Sequence, residues 1–299
     1  MVQGYVTFGL LCTIPVLTLF GNALVIACYT KFQFLRTKCH IFVISLATAD
    51  ICVSVFVMPL RLYEVINNGE WYLGHVLCDV VNIADVALST TSILNLAGLA
   101  FERYLVICRN FFHRKLSRRK IILLVMLCWF LPVLVFVLPM AFKWHVIGIE
   151  HLINCASTSP SRCPLLLNVP YGIIATCTSF HVPLIFMIVC YWRILLAARR
   201  HTEVVRNFST QRNQLQLQRE TKAARTLGIV MGCFCICWLP FSVISTIGSL
   251  SSYSVNVPSV VSISMWLGYA NSCMNPLLYY VFSHDFKVAY TAIFHCRCR

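Results

Sequence analysis

The chain has 299 residues, of which 59% are hydrophobic and 11% are charged, and its mean hydropathy is +0.77. This composition excludes a soluble domain of the same size, which would expose too much apolar surface to water, and indicates a membrane protein. The net charge of +14 would suggest a nucleic-acid-binding protein in a soluble chain, but the positions of the basic residues exclude that interpretation here.

Seven apolar stretches are long enough to cross a bilayer as a helix, which takes about 20 residues. The predicted spans lie at about 5–29, 41–66, 77–108, 121–142, 170–198, 222–250 and 258–282. Lipid offers the backbone no hydrogen-bond partner, and runs of this length are too long for barrel strands. We therefore predict an all-α fold, a seven-transmembrane helix bundle that forms one domain over 1–299.

The basic residues lie almost entirely on one side of the predicted bundle. Of the 24 Lys and Arg residues, only Arg61, Lys143 and Arg162 fall on the other side. Basic residues concentrate in cytoplasmic loops, so we expect the N-terminus outside the cell and the C-terminus inside. The basic runs at 114–120 and 199–200 are explained by topology, and a partner-binding role for them stays open.

The segment after the last span, about 283–295, alternates apolar and basic residues at helical spacing. This pattern is typical of an amphipathic helix that lies on the inner leaflet. Cys296 and Cys298 follow it as candidate palmitoylation sites. Most other cysteines lie inside apolar runs, where they behave as small hydrophobic residues, and no Cys or His spacing predicts a metal site.

The third span carries charges that a lipid-facing helix would not. Asp85 stands near its outer end, and Glu102 and Arg103 stand near its inner end. Asp85 and Arg103 are 18 residues apart, about five turns and about 27 Å along an α-helix. Charged groups inside a membrane are costly and usually mark a functional site or a specific partner.

Each of the seven spans also contains one short polar or proline-containing motif. In chain order these are Gly21-Asn22, Leu-Ala-Thr-Ala-Asp ending at Asp50, Glu102-Arg103-Tyr104, Trp129, Pro183, Cys-Trp-Leu-Pro at 237–240, and Asn-Pro-Leu-Leu-Tyr at 275–279. Proline inside a helix frees a carbonyl and kinks the chain, so we expect kinks in the fifth, sixth and seventh spans.

Taken together, these motifs resemble the rhodopsin-like, or class A, G-protein-coupled receptors over nearly the whole chain. Asp85 together with Trp-Leu-Gly-Tyr-Ala-Asn-Ser at 266–272 resembles the biogenic-amine branch, and in particular its histamine type-2, serotonin type-4 and trace-amine-type receptors. The resemblance implies a plasma-membrane receptor that binds a small amine and activates a heterotrimeric G protein, with stimulatory coupling and a rise in cyclic AMP. It also implies arrestin, a receptor kinase and membrane lipid as partners, and no enzymatic activity.

Asp85 has three interpretations. It can pair with a ligand ammonium, as the resemblance implies, pair with Arg61, or be protonated and structural. Glu64 stands three residues after Arg61 on the second helix, so a local Arg61–Glu64 pair is an alternative partner for the arginine.

Seven further residues are candidates for contact with the ligand, the aromatic ones by resemblance and the three with hydroxyl groups alone by their positions on helical faces. These are Ser89, Thr176, Ser179, Trp238, Phe241, Trp266 and Tyr269. Tyr269 would hydrogen-bond the Asp85 carboxylate, and the aromatic residues would attract an ammonium by cation–π interaction. Alternatively, the aromatic side chains are packing residues, and the hydroxyl groups of Thr176 and Ser179 bond to their own helix.

The ligand is not fixed by the sequence. Ala175 stands where histamine type-2 receptors have a fifth-helix acid, so histamine is doubtful. Glu64 near the mouth of the pocket leaves a diamine open, with one ammonium on each carboxylate. A class A receptor for a peptide or lipid is an alternative, which Arg61 and the absent acid favour. An ion-coupled transporter using Asp50 and Asp85 is a second alternative, disfavoured because no inverted repeat is found.

The resemblance also assigns roles deeper in the bundle. Asp50, Ser92, Asn271 and Asn275 would form an allosteric sodium site, or else a hydrogen-bonded structural cluster without an ion. The G-protein switch would comprise Glu102, Arg103, Tyr104, Tyr191, Glu220, Pro276 and Tyr279. Cys78 and Cys163 are implied to form an extracellular disulfide, while Cys155 has no assigned role.

Overall fold

The computed structural model describes the backbone of residues 2–109, 112, 116–151, 162–208, 211–251 and 258–295. Side chains are described in the same ranges except at 2–8 and 198–227. Cys155, Cys296 and Cys298 lie outside the described residues, and so does the side chain of Glu220.

Seven long helical elements and one short one follow one another within the described ranges. They are α1 (Val2–Lys31), α2 (Lys38–Ile66), α3 (His75–Cys108), α4 (Arg118–Ala141), α5 (Val169–Thr176 continued by Cys177–His181 and Val182–Phe208), α6 (Gln211–Leu250), α7 (Pro258–Phe282) and α8 (His284–Phe294). The prediction of an all-α bundle with a short C-terminal helix is confirmed.

By length and hydropathy, six described helices, α1 to α6, can cross a membrane. The helix α7 has 25 residues and is long enough, but polar side chains such as Asn271 and Asn275 lower its hydropathy. Both of these asparagines are buried against other helices rather than facing outward. Polar residues of a membrane helix usually face the bundle interior, so α7 completes the seven-helix bundle.

Helix α3 is the centre of the bundle, because it packs against α2, α4, α5 and α6. The remaining helices close a ring around it, with α6 against α7 and α7 against α1. Its middle is buried over several turns, including Leu96, Ala100 and Asn95. A residue on α3 can therefore reach several neighbouring helices at once.

Three of the helices contain a widened π turn at a fixed distance before a proline. These turns are Val53–Val57 before Pro59, Val133–Val137 before Pro139, and Cys177–His181 before Pro183. Proline has no N–H for the preceding turn, and a wider turn accommodates its ring. Helix α5 thus widens before Pro183, whereas α6 and α7 continue as α-helix through Pro240 and Pro276, and the kinks expected at these prolines stay a prediction.

Glycines bring two pairs of helices into close contact. A Cβ atom on Gly98 of α3 would lie 2.3 Å from Cε1 of Phe42 on α2, and a Cβ atom on Gly21 of α1 would lie 2.9 Å from Cγ of Pro276 on α7. Small residues allow membrane helices to approach closely, and dispersion contacts then stabilise the pair.

The outer end of α3 is fixed by a disulfide and a tryptophan. The predicted Cys78–Cys163 disulfide is present, with the two Cα atoms 5.6 Å apart. Trp71 packs beside both cysteines and donates from Nε1 to the carbonyl of Gly74 at 2.8 Å. Gly74 precedes α3 with φ of 84°, a conformation that favours glycine.

Replacing Gly98 with alanine should destabilise the bundle, because the new Cβ atom would overlap the Phe42 ring, which is only 1% exposed. We expect a loss of about 1–3 kcal/mol, the usual range for overpacking a core. The measurement is the thermal unfolding midpoint of the purified protein in detergent.

Gly232 of α6 is the matched control, because a Cβ atom there would meet no atom within 4 Å. Gly232→Ala should leave the midpoint unchanged or raise it slightly, since alanine favours helix. Equal losses in the two variants would contradict the close α2–α3 contact.

Candidate functional site

The outer polar cluster is built around Asp85, which is 8% exposed on α3. Its Oδ2 atom accepts a hydrogen bond of 2.6 Å from the hydroxyl of Tyr269 on α7. That bond was expected, and it fixes the orientation of the carboxylate. Tyr269 is held in turn by Trp266, whose ring packs edge-on at a centroid distance of 5.3 Å.

Arg61 of α2 is the second partner of Asp85. Its Nη2 atom lies 3.3 Å from Oδ2 of Asp85 and donates to Oδ1 of Asn82 at 2.7 Å. Its Nη1 atom lies 3.2 Å from Oε2 of Glu64. Both arrangements considered for Arg61, the local pair and the pair with Asp85, therefore occur together.

The charges of this cluster do not cancel. Arg61 carries one positive charge, and Glu64 and Asp85 carry one negative charge each, so the ionised triad has a net charge of −1. The side chains of Arg61 and Asp85 are 7% and 12% exposed, while that of Glu64 is 24% exposed. An uncompensated negative charge in such surroundings is costly and favours the binding of a cation.

The aromatic residues predicted for the ligand site fall into two groups. Trp266 and Tyr269 are buried beside Met58 of α2. Trp238 and Phe241 of α6 are half-buried and pack edge-on at 6.0 Å. Gly268 of α7 lies against the Trp238 ring, since a Cβ atom there would come within 3.2 Å of it. The α6 pair therefore contacts α7 at Gly268, while Trp266 and Tyr269 pack in a separate cluster against α2.

The predicted hydroxyl groups differ in their surroundings. Ser89 is buried one turn inward from Asp85 on α3. Thr176 of α5 donates to the carbonyl groups of Gly172 and Ile173, so its hydroxyl group bonds to its own helix, as the alternative interpretation held. Ser179 lies half-buried in the π turn Cys177–His181, and Ala175 is buried in the preceding turn.

A cavity of about 280 Å³ opens on the outer side of this cluster. One face of α3, including Asp79 and Asn82, lines it together with the end of α4 and the loop that follows. Asn82 belongs to both the cavity and the Arg61 cluster. Neither Asp85 nor Arg61 lines the cavity, so Asn82 connects the space to the cluster through its hydrogen bond with Arg61.

Two loop residues that line the cavity have shifted pKa values. Burial lowers the pKa of His145, which keeps the imidazole neutral near pH 7. Backbone N–H groups, including that of Gly148 at 3.0 Å, stabilise the carboxylate of Glu150 and lower its pKa. The wall also carries Asp79, Lys143 and Arg162, so its two acidic and two basic side chains balance in charge.

The inner polar cluster surrounds Asp50 of α2, which is fully buried. Its carboxylate accepts hydrogen bonds from Ser92 at 3.0 Å, Ser272 at 2.8 Å and Asn275 at 3.0 Å. Asn271 was also assigned to this cluster; it is buried but makes no hydrogen bond to Asp50. Ser272, the next residue along α7, contacts Asp50 where Asn271 was expected to do so.

The cytoplasmic end of α3 holds the charged pair. Arg103 lies 3.7 Å from Oε2 of Glu102 and 2.8 Å from the sulfur of Cys39 on α2. Glu102 is 3% exposed, so the pair is not the solvated interfacial pair that was the alternative. Tyr104, which was assigned to the same switch, is half-buried one residue further on.

The two tyrosines assigned to the switch pack against neighbouring helices. The hydroxyl group of Tyr191 on α5 would lie 2.1 Å from a Cβ atom on Gly228, so it packs against α6. Tyr279 of α7 stacks on Phe286 of α8 at 5.3 Å, and its hydroxyl group has no hydrogen-bond partner among the described residues. Pro276 lies against Gly21, and its carbonyl accepts from Tyr290 at 3.4 Å.

Three contributors were missed by sequence reasoning, namely Asn82, Ser272 and Cys39. Asn82 lies three residues before Asp85, and Ser272 lies three residues before Asn275, so helical spacing could have identified both. Cys39 meets Arg103 across two helices, and no sequence signal indicates that contact. Among the described residues, no group of three or more His, Cys, Asp or Glu could hold a metal ion.

Known proteins match this chain along nearly its whole length. The family described as 7 transmembrane receptor (rhodopsin family) matches residues 21–279. The human 5-hydroxytryptamine receptor 4 is 33% identical over 99% of this chain and 81% of its own length. The octopamine receptor beta-2R of Chilo suppressalis is 33% identical over 96% of this chain and 78% of its own length. The D(1)-like dopamine receptor of Oreochromis mossambicus is 34% identical over 96% of this chain and 78% of its own length.

Replacing Ser272 with alanine should destabilise the protein by about 2 kcal/mol, the usual size for a hydrogen bond to a charged group. The Ser272 hydroxyl group donates to the buried carboxylate of Asp50. The measurement is again the unfolding midpoint in detergent.

Ser264 of the same helix is the control, because its hydroxyl group donates to the carbonyl of Val261 in its own helix. Ser264→Ala should change the free energy of unfolding by less than about 0.5 kcal/mol. A Ser272→Ala variant as stable as Ser264→Ala would argue against a carboxylate that depends on its hydroxyl donors.

Proposed function

The chain belongs to the rhodopsin family of seven-transmembrane receptors, and from this membership we propose that it is a cell-surface receptor whose ligand is a small amine held by Asp85. Members of this family are multi-pass membrane receptors and not enzymes. The observation that carries the proposal is the buried Asp85 carboxylate, oriented by Tyr269 within a cluster of net negative charge.

A ligand ammonium would form a charge-assisted hydrogen bond with Asp85. The carboxylate is largely removed from water, so this attraction is stronger than it would be at the surface. We propose that Trp238, Phe241 and Trp266 supply aromatic surface that would attract a cation and pack against an aromatic ligand. Ser89 and Ser179 are the hydroxyl groups proposed for the polar end of the ligand.

The names of the similar receptors support this ligand class. They are named for 5-hydroxytryptamine, octopamine and dopamine, each of which joins an ammonium to an aromatic ring. We propose that this chain binds a ligand of the same type. Ala175 offers no side-chain hydrogen-bonding group at its position of α5. The proposal therefore does not extend to histamine, whose imidazole would need a partner there.

We also propose a sodium ion as an allosteric ligand at Asp50. The residues suit a hard cation, because oxygen atoms of one carboxylate and two serine hydroxyl groups meet there. The Oδ1 atoms of Asn271 and Asn275 are buried and accept no hydrogen bond from the described residues, so they are available as further ligands. A bound sodium ion would supply the countercharge that Asp50 lacks.

At the cytoplasmic end, separation of Arg103 from Glu102 is the proposed activating step. Outward movement of α6 would then expose a surface for a heterotrimeric G protein, and Tyr191 and Tyr279 would stabilise that form. An agonist drives this change only by its higher affinity for the open state. We propose stimulatory coupling with a rise in cyclic AMP, and arrestin and a receptor kinase as later partners. The N-terminus would lie outside the cell.

Cells that express the wild-type chain should raise cyclic AMP in response to at least one of 5-hydroxytryptamine, dopamine and octopamine. Asp85→Asn should lower the potency of that amine by about 100-fold or more, because truncating a buried charge pair costs several kcal/mol. Cell-surface labelling of both proteins confirms equal expression.

Asp79→Asn is the matched control for that experiment, since Asp79 lies on the same helix but faces the outer cavity. It should leave amine potency within a few-fold of wild type. A response that survives Asp85→Asn would contradict the amine site and favour a peptide or lipid ligand.

Sodium should raise the unfolding midpoint of the purified receptor, and choline at the same ionic strength should not. At about ten times the dissociation constant, the gain is about 1.4 kcal/mol. Asp50→Asn should abolish the difference between the two salts, because an amide has no charge to offset the ion. Persistence of the sodium effect in Asp50→Asn would place the ion elsewhere.

A further inference from the structure

We propose that Arg61 is an internal countercharge that a ligand ammonium must displace from Asp85, and that Glu64 retains the displaced guanidinium. This inference rests on the proposed amine site at Asp85. It makes the Arg61, Glu64 and Asp85 triad the part of the site that selects a ligand with one positive charge.

The contacts of Arg61 are unequal. The Nη2 atom donates to Asn82 at 2.7 Å but lies 3.3 Å from Asp85, which is long for a charge-assisted bond, typically about 2.7–2.9 Å. The Asp85 atom that it contacts, Oδ2, is also the acceptor for Tyr269. The Nε atom of Arg61 is buried and has no acceptor among the described residues. Arg61 is thus bound incompletely, since both of its contacts with carboxylates, 3.2 Å to Glu64 and 3.3 Å to Asp85, are long.

Asp85 offers a second oxygen to an incoming cation. Both of its hydrogen bonds within the described residues reach Oδ2, which leaves Oδ1 as the point of first contact. An ammonium that binds there weakens the attraction between Asp85 and Arg61, since the carboxylate charge is then shared by two cations. The exchange can proceed without a stage in which Asp85 has no countercharge.

Glu64 allows Arg61 to leave. It stands on the same helix, already contacts Nη1 of Arg61, and is more exposed than Asp85. After exchange, Arg61 pairs with Glu64 and the ligand pairs with Asp85, so each charge has one partner. Without Glu64, the displaced guanidinium would be a buried cation without a countercharge, which is strongly unfavourable.

The net charge of the triad decides the ligand class. With a net charge of −1, the triad becomes neutral when it takes one ammonium. A diamine would leave an excess positive charge unless Arg61 moved away from both acids. The Glu64 carboxylate, which was a candidate for a second ammonium, is already used by Arg61. We therefore expect a monoamine rather than a diamine to be preferred.

The first test compares monoamine binding in four purified proteins: wild type, Arg61→Gln, Glu64→Gln and the double variant. Binding of 5-hydroxytryptamine, dopamine and octopamine is measured by the shift in unfolding temperature with concentration. If Arg61 occupies Asp85 about nine-tenths of the time, its removal should tighten binding about tenfold. Glu64→Gln should weaken binding by a similar factor, and Arg61→Gln in that background should restore it.

The second test uses 1,5-diaminopentane as a diamine probe. Arg61→Gln leaves two acids and no base, so the triad has a net charge of −2. The ratio of diamine to monoamine affinity should then rise at least about tenfold above the wild-type ratio. The double variant has a net charge of −1, and its ratio should return toward the wild-type value. Loss of packing alone would not produce this charge-dependent reversal.

Two further variants serve as checks on folding and on long-range charge. Asn82→Ala keeps Arg61 but removes the amide that holds Nη2 beside Asp85, so it should tighten monoamine binding about threefold. Lys143→Gln removes a positive charge from the wall of the outer cavity without touching the triad. It should change affinity less than about twofold, since exposed charges are screened by salt.

The outcomes separate this inference from the function on which it rests. If a monoamine binds the wild type and is lost in Asp85→Asn, but Arg61→Gln and Asn82→Ala bind no more tightly, the displacement is wrong and the amine receptor stands. If no amine binds the wild type or Arg61→Gln, the displacement and the proposed amine receptor are both wrong. If Lys143→Gln reproduces the gain of Arg61→Gln, the effect is a general one of surface charge, and the displacement is again wrong.

Discussion

The cost of burying a charge in a medium of low dielectric constant is the constraint on which this bundle depends. Asp50, Asp85 and Glu102 are all less than a tenth exposed, and each sits at a different depth. A buried carboxylate must be paired, hydrogen-bonded or protonated. The three residues are stabilised in different ways, and those differences separate the parts that we propose for them.

Asp50 is stabilised by neutral donors, Asp85 by a shared arginine, and Glu102 by the adjacent Arg103. Neutral donors disperse a charge without cancelling it, so Asp50 retains an attraction for a small cation. Arg61 is divided between two acids, so Asp85 keeps part of its charge for a ligand. Glu102 lies 3.7 Å from Arg103, which also contacts Cys39 of α2, so this charged pair joins two helices and suits a contact that holds one state until the helices move.

The sequence predicts where the charges lie better than it predicts their partners. The depth of Asp85 and Arg103 follows from the rise of an α-helix, and the order of the motifs indicates the bundle. The contact of Arg61 with both Glu64 and Asp85 depends on how α2 and α3 are rotated against each other. Close packing at Gly98 and Phe42 sets that rotation, and periodicity in one helix carries no information about it.

The π turns illustrate the same limit. Proline positions indicate that a helix will be disturbed, but not whether it kinks, widens or remains regular. Pro59 and Pro183 follow widened turns, whereas Pro240 does not. An extra residue in one turn rotates every later side chain by about 100° relative to a regular helix of 3.6 residues per turn. The turn at Val53–Val57 precedes Arg61 on α2, so it helps to set the direction from which Arg61 reaches Asp85.

The packing of α3 and α6 bears on the activating step that we propose. Helix α3 contacts four neighbours and is fixed at its outer end by the Cys78–Cys163 disulfide. Helix α6 packs mainly against α7 and α5, and Gly232 on it faces no atom within 4 Å of a Cβ position. Helix α3 is therefore the better-anchored helix, and the activating step that we propose leaves it in place while α6 moves. Asp85 and Glu102 stand on α3, and Asp50 of α2 is hydrogen-bonded to Ser92 of α3. The proposed ligand site, the Asp50 cluster and the Arg103 pair therefore follow one another along this helix.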